Sequence, residues 1–369
     1  MHGRPHLNPR QMICHRTQSR TAGSIVPCFA TALRRPAVAL ALCALAAQAA
    51  RAQQAQPSVS VSGVVYAHYA FQLSDTANHA NAFDITRALM SVNGKFAGGL
   101  TARVSSDIYR AADSSTVFRL KFAYLAWTPD GSHLTYRFGL TQTLWIDYAD
   151  QLWDYRMQGP TVLDRNGILF PADFGAAVDG SFRHDGLTFQ AGIYDGEGYA
   201  RGTGDRHKDV SARASVRLLD SDDSSRVGGL RLTAFALLGT PSGGGTRNRY
   251  TGQVSWRARR LTLGGEFTIA SDSVRTARVT SRESSAISAF GVLRLSESKA
   301  ALVLRTDIYD PNTGKGGDRQ TRFIAGVSYQ VTPNWRTMLD LDRVSYEGTP
   351  DAAQQARRST LYFHNQLVF

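Results

Sequence analysis

The last nine residues read LYFHNQLVF, Leu361 to Phe369. Leu361, Phe363, Leu367 and the terminal Phe369 fall on one side of an extended chain, and Tyr362, His364, Gln366 and Val368 on the other. Side chains alternate between faces only in a strand, so this segment is a β-strand with one face against an apolar medium. The same code runs backward through the chain. In Gly99 to Tyr109, Leu100, Ala102, Val104 and Ile108 alternate with Thr101, Arg103, Ser105, Asp107 and Tyr109. In Phe118 to Ala126 the apolar phase is Phe118, Leu120, Phe122, Tyr124 and Ala126, with Arg119 and Lys121 opposite. Leu134, Tyr136, Phe138 and Leu140 alternate with Thr135, Arg137 and Thr141. Three more segments repeat it: Phe174, Ala176, Val178 and Phe182; Leu187, Phe189, Ala191 and Ile193; Val210, Ala212, Ala214, Val216 and Leu218.

Further strands are expected at Leu230 to Leu238, Tyr250 to Trp256, Leu261 to Ile269, Ala286 to Leu295, Ala300 to Ile308, Phe323 to Val331 and Trp335 to Leu341. With Val59 to Phe71, Phe83 to Phe96 and the final strand the count is about sixteen, within a range of fourteen to eighteen. Phe83 to Phe96, Leu230 to Leu238 and Ala286 to Leu295 have no clear phase. No apolar run from residue 53 onward is long enough to cross a bilayer as a helix. A chain in lipid must satisfy every backbone hydrogen bond internally, and a closed barrel does so with strands alone. Segments of about ten residues, apolar on one face and polar or small on the other, are the pattern of such a barrel rather than of a water-soluble sandwich. The expected fold is therefore all-β: a transmembrane antiparallel β-barrel with an aqueous lumen.

The other end points to the same compartment. Arg34 and Arg35, the apolar run Ala37 to Ala47 and Ala50-Arg51-Ala52 form the charged, hydrophobic and small-residue regions of a secretory signal peptide. Residues 1–52 are expected to be removed after Ala52, leaving 53–369 as one barrel domain; initiation at Met12 would shorten the leader. All three cysteines, Cys14, Cys28 and Cys43, lie in the leader, so neither disulfides nor thiolate metal sites are expected. Its seven arginines and lack of acidic residues mean that its removal takes the net charge from +12 to +5. That excess suits small anionic solutes. No basic stripe interleaved with stacking aromatics marks a nucleic-acid binder.

The connections alternate in character. Phe96 to Gly99, Pro129 to Ser132, His184 to Gly186, Arg259 to Arg260 and Thr332 to Asn334 read as tight turns. Gly196 to His207, Asp272 to Ser285, Asp310 to Asp318 and Glu347 to Arg357 read as long polar loops. Thr143 to Asp173 breaks the rule. It carries Leu144, Trp145, Ile146, Leu152, Trp153, Tyr155, Met157, Leu163, Ile168, Leu169 and Phe170, too apolar a set for a water-exposed loop. Its expected place is inside the lumen, with Asp147, Asp150, Asp154, Arg156 and Arg165 forming the constriction; packing at a trimer contact or the outer rim is the other reading.

The terminal strand resembles the C-terminal strand of bacterial outer-membrane barrels, which engages their assembly machinery. FDITRALMSVNGKFAGGLTARVSSDIY at Phe83 to Tyr109 and RFGLTQTLWIDY at Arg137 to Tyr148 resemble the phosphate-selective porin O and P family. So do FPADFGAAVDGSF at Phe170 to Phe182, VLRTDIYDPN at Val303 to Asn312 and GVSYQVTPNWR at Gly326 to Arg336. The resemblance implies an outer-membrane porin of sixteen strands, commonly a homotrimer, with its third long loop folded inward. That family's selectors are rich in lysine, whereas here the expected mature part holds only Lys95, Lys121, Lys208, Lys299 and Lys315.

If the apolar phases face lipid, then Arg103, Asp107, Arg119, Lys121, Arg137, Arg183, Arg213, Arg217, Arg257, Arg322 and Arg336 line the pore. A charge on the lipid face near the midplane costs roughly 2–4 kcal/mol, which favours the inward assignment. Guanidinium groups offer bidentate hydrogen bonds to anions without deprotonating. Many should instead brace the wall by pairing with Asp107, Asp179, Glu266, Asp307, Asp340 or Asp342. The alternatives are a ligand-specific transporter of an organic solute and a barrel hydrolase. No hatch fits into Gln53 to Ser58, no G-x-S-x-G or H-E-x-x-H occurs, and no cofactor is expected. His68 and His364 would meet across the closing seam without an evident third partner.

Overall fold

The ladder between the first and last strands closes the molecule. Val64 pairs with Val368, His68 with His364 and Gln72 with Thr360, all antiparallel. The computed structural model describes residues 56–111, 113–200, 205–275, 279–295 and 299–369, so the expected leader and cleavage site lie outside the described residues. Sixteen strands are described: β1 (Ser58–Gln72), β2 (Asn81–Lys95), β3 (Leu100–Arg110), β4 (Thr116–Trp127), β5 (Leu134–Gln142), β6 (Ala172–Phe182), β7 (Leu187–Tyr194) and β8 (Asp209–Leu219), followed by β9 (Gly229–Gly239), β10 (Gly245–Arg257), β11 (Leu261–Arg275), β12 (Val279–Arg294), β13 (Ala300–Asp310), β14 (Gln320–Thr332), β15 (Trp335–Tyr346) and β16 (Ser359–Val368). Each pairs with its sequence neighbours and β16 returns to β1, so the barrel has no free edge.

The apolar phase lies on the outside. Phe83, Val104, Phe118, Phe138, Leu238, Leu304 and Leu339 are all exposed there. Trp127, Tyr136, Trp335 and Phe369 form an aromatic girdle near the short-turn rim, where rings suit a membrane–water boundary. Asn365, the one break in the stripe of β16, accepts a hydrogen bond from the Trp335 indole at 3.1 Å.

Two β-bulges explain where simple alternation fails. Tyr66 faces Arg87 and Ala67 faces Ile85, which leaves Thr86 as an extra residue in β2. Likewise Ser105 faces Phe122 and Ser106 faces Leu120, which leaves Lys121 extra in β4. A bulge reverses the phase of the residues beyond it. Phe118 and Leu120 therefore face outward as expected, but Phe122 is 7% exposed and turns inward with Tyr124 and Ala126, while Leu125 and Trp127 point outward. The unclear phase of β2 has the same origin.

The connections differ from expectation at two points. Asp272 to Ser285 is mostly strand among its described residues, because β11 and β12 stay paired there, with Ser273 opposite Ser281. Arg183 does not line the lumen. It is the first of three left-handed residues in the β6–β7 turn, with φ of +53° followed by +52° at His184 and +63° at Asp185, and it is exposed.

The terminal residue is seated on the seam. The Phe369 backbone exchanges hydrogen bonds with Gly63 at 2.8 and 3.0 Å, and its ring covers Gly63 so closely that a Cβ there would lie 2.3 Å from Cζ. Gly63→Val should displace the ring at a cost of about 1–3 kcal/mol, as overpacking does. The expected outcome is a lower yield of heat-modifiable folded barrel on a semi-native gel, matched by Phe369→Ala and no worse in the double variant; normal assembly of Gly63→Val would exclude this contact.

Candidate functional site: the charged lumen and its inserted segment

The segment between β5 and β6 forms two helices, α1 (Leu144–Trp153) and α2 (Val162–Arg165). Its polar interruptions fall at helical spacing: Leu144, Tyr148 and Leu152 make one row and Trp145, Ala149 and Trp153 the next. All six are buried. The segment lies in the lumen, as its apolar content predicts. Its helices were not expected, and the four-residue repeat was the available signal for the first of them.

The barrel's inner wall is apolar where the segment rests. Leu144, Trp145, Ile146, Ala149, Val162, Leu163, Ile168 and Leu169 pack against Ala177, Tyr194, Phe235, Ala270 and Ala286. Trp153, Tyr155 and Met157 pack against Val292, Ala301, Val303 and Met338. Burying each large apolar side chain contributes roughly 1.5–3 kcal/mol. These inward apolar residues also blurred the phase of β9 and β12 in the sequence. Trp153 meets Phe290 edge to face at 5.0 Å, and the Arg305 guanidinium lies 4.8 Å over the Trp153 ring.

Wall guanidinium groups clamp the carbonyls of this segment. Arg257 donates to the Gln151 carbonyl at 2.7 Å, Arg336 to that of Asp154 at 2.8 Å, Arg305 to that of Pro160 at 3.0 Å and Arg249 to that of Ile168 at 3.1 Å. A loop packed inside a barrel must satisfy its backbone there, and these donors do it. Within the segment Arg156 pairs with Asp150 at 3.2 Å and with Asp164, while Asp154 pairs with Arg336 at 3.5 Å. Arg257 and Arg336 thus project inward as expected but hold the segment. Arg249 and Arg305 were not among the expected pore-lining residues.

Most lumen charges are braced. Asp107 takes Arg87 and Lys121, each at 3.1 Å; the two bulges bring these cations onto it from either side. Arg137 pairs with Asp179 at 2.7 Å, Arg305 with Asp307 at 2.8 Å and Arg322 with Asp342 at 2.6 Å. Arg217 pairs with Asp220 at 2.8 Å and Arg257 with Asp223 at 2.9 Å near the short-turn rim. Of the expected braces, Glu266 instead accepts from Gln253, and Asp340 meets His364 at 3.0 Å.

Other cations have no carboxylate partner among the described residues. Arg103 donates to Ser91 and Ser105 and covers the Phe122 ring. Arg119 lies between Tyr109 and Tyr199, 4.7 and 4.2 Å from their ring centres. Arg213 donates to Gln190 at 3.0 Å and covers Tyr148. Arg165 donates only to Gln158, at 3.3 Å, and its Nη1 is enclosed with no hydrogen-bond partner. Burial and the Arg305 and Arg322 charges push the Arg165 pKa down to about 9, the behaviour of a cation short of counter-charge. Asp147 is the segment's carboxylate without an ion pair among the described residues; it accepts a hydrogen bond from Gln151.

Between the segment and β1, β2 and β14 to β16 lies an open cavity of about 360 Å³. It is lined by Arg87, Arg156, Arg165 and Arg322 and by Tyr66, His68, Tyr362 and His364, with Thr86, Gln158 and Asp342 among the rest. His68 and His364 do meet, with ring centres 5.5 Å apart, and Asp340 supplies the third partner that the sequence did not reveal. Among the described residues, no serine or cysteine lines this cavity.

No family model and no curated protein matches the chain. Solved structures do. OmpT of Vibrio cholerae, an outer membrane protein in trimer form, is 11% identical, with 85% of this chain and 100% of that one covered at a TM-score of 0.60. OmpF of Salmonella typhi in complex with daunomycin is 10% identical, covering 84% and 97% at 0.57. A substituted porin of Rh. blastica is 13% identical, covering 85% and 100% at 0.55. The chain shares their barrel fold.

Trp153→Ala should loosen the inserted segment, since truncating a buried Trp costs about 3–5 kcal/mol. Limited proteolysis of the folded variant is expected to cut within residues 144–170, which the parent protects; equal protection of the two would contradict this seating.

Proposed function

We propose that the chain is an outer-membrane porin through which small hydrophilic solutes diffuse passively, with a moderate preference for anions. The observation that carries this reading is the seating of residues 143–171. The segment rests on the apolar inner wall and leaves beside β1 and β16 a polar cavity lined by its Arg156 and Arg165. The outward apolar face and its girdle suit outer-membrane lipid. Export through a cleaved signal peptide, insertion by the outer-membrane assembly machinery through the strand ending in Phe369, and a homotrimer complete the proposal. The trimer and the phosphate-selective O and P family rest on the sequence resemblance, and OmpT of Vibrio cholerae is described as a trimer form.

The anion preference rests on the cations left over after bracing. Arg103, Arg119, Arg165, Arg213 and Arg231 have no carboxylate within ion-pair distance among the described residues, whereas Asp147, Asp173 and Glu266 are lumen carboxylates in the same position. The excess is positive and small. In a narrow, low-dielectric passage a small excess still biases which ion enters.

Purified protein in a planar bilayer with a KCl gradient should conduct and show a reversal potential of the sign set by chloride; the cation sign would reject the arginine argument. Arg103→Gln with Arg119→Gln should move that potential toward zero and leave assembly intact. Arg137→Gln should instead lower the folded yield, because stripping one partner from a buried pair costs about 3–5 kcal/mol.

A further inference from the structure

The cavity beside β1 and β16 has two kinds of wall. One is cationic: Arg165 and Arg156 on the inserted segment face Arg87 of β2 and Arg322 of β14. The other is aromatic. Tyr362 and His364 stack with centres 5.0 Å apart at 19°, and His68 stands edge-on to Tyr362 at 5.2 Å. Tyr66 completes this wall.

The wall itself is cationic: Arg87, Arg156, Arg165 and Arg322 line it against the carboxylate of Asp342, and the other ion-pair partners lie behind it. Arg87 and Lys121 share Asp107; Arg156 holds Asp150 and Asp164; Arg322 holds Asp342. Asp340 is fully enclosed behind His364 and, like Asp107, Asp150 and Asp164, does not line the cavity. Arg165 is left over, tied only to Gln158, which itself donates to Asp342 at 3.3 Å. A cationic wall fits an anionic group, and Arg165 is the lining guanidinium with no carboxylate partner among the described residues. A guanidinium fork matches a planar carboxylate, and aromatic faces favour a planar ring over a spherical or tetrahedral ion. A volume of about 360 Å³ lies at the small end of ligand pockets.

We propose that this cavity is a transient binding site, within the permeation path, for aromatic carboxylates. The carboxylate docks on Arg165, with Arg322 beside it, and the ring lies against Tyr362 and His68. The inference rests on the porin reading and names a solute class for it. A site that holds its solute weakly, between two openings, speeds that solute's passage at low concentration.

Benzoate is the probe. Added to KCl in a planar bilayer, it should interrupt the single-channel current in discrete events, whereas benzyl alcohol, which lacks the charge, and hydrogenphosphate, which lacks the ring, should not. Arg165→Gln should weaken the block about tenfold, the worth of one charge-assisted contact, and Arg165→Lys should restore part of it. Tyr362→Leu should weaken benzoate block as well, and block unchanged in that variant would overturn the aromatic wall. Equal block by hydrogenphosphate, or block indifferent to Arg165→Gln in a barrel that still migrates as folded, overturns the proposal. Titration calorimetry on detergent-solubilised protein separates the two readings: benzoate binding without conductance rejects the porin reading alone, and conductance without benzoate binding rejects this site alone.

Discussion

The backbone ladder between β1 and β16 is the constraint on which everything else depends. An open sheet of fifteen pairings would expose two rows of unpaired amides to hydrocarbon, where each unsatisfied group costs several kcal/mol. Closing the ring removes that cost, and it can only close if first and last strands meet in register. Gly63 and Phe369 mark the meeting point: a residue without a side chain receives the ring of the residue that ends the chain. With the ring closed, one face of every strand must meet lipid and the other must enclose the lumen.

An enclosed lumen sets a second problem, which the inserted segment solves. A barrel of this size has more interior than its own side chains can fill. Residues 143–171 occupy part of it, and the wall supplies apolar seats at Phe235, Val292, Val303 and Met338 and guanidinium clamps at Arg249, Arg257, Arg305 and Arg336. Arginine suits both roles, because its stem lies along apolar surface while its fork satisfies carbonyls. The same residue type therefore holds the segment from beneath and sets the electrostatics beside it. Arg165 and Arg305 illustrate the division: the second is locked to Asp307 and Pro160, while the first lines a cavity and keeps an enclosed Nη1 without a hydrogen-bond partner.

The lumen's polarity is uneven. Paired charges line the wall as dipoles, with short reach, whereas Arg103, Arg119, Arg165 and Arg213 have no carboxylate partner among the described residues. The bulges at Thr86 and Lys121 sharpen this pattern by gathering Arg87 and Lys121 onto Asp107. A strand with unbroken alternation would carry those residues at other angles.

Period two along the chain was enough to expect strands and a closed barrel, because in lipid the burial of one face is enforced at every strand; the lumen was one of two places that the apolar content of residues 143–173 allowed for the segment. The outward stripe of β16, the inward Arg103, Arg137 and Arg213, and the apolar oddity of residues 143–173 were all legible from order alone. Phe122 and Tyr124 were misplaced because an extra residue in a strand leaves no mark in composition, and Arg183 because a turn's φ angles are not encoded in a polar residue's identity. Which arginines pair, which clamp and which remain free was decided only by the closed fold. Residues far apart in sequence, such as Arg305 and Pro160 or His364 and Asp340, acquire their roles from strands brought side by side, and Coulomb and hydrogen-bond energies depend on that distance rather than on order along the chain.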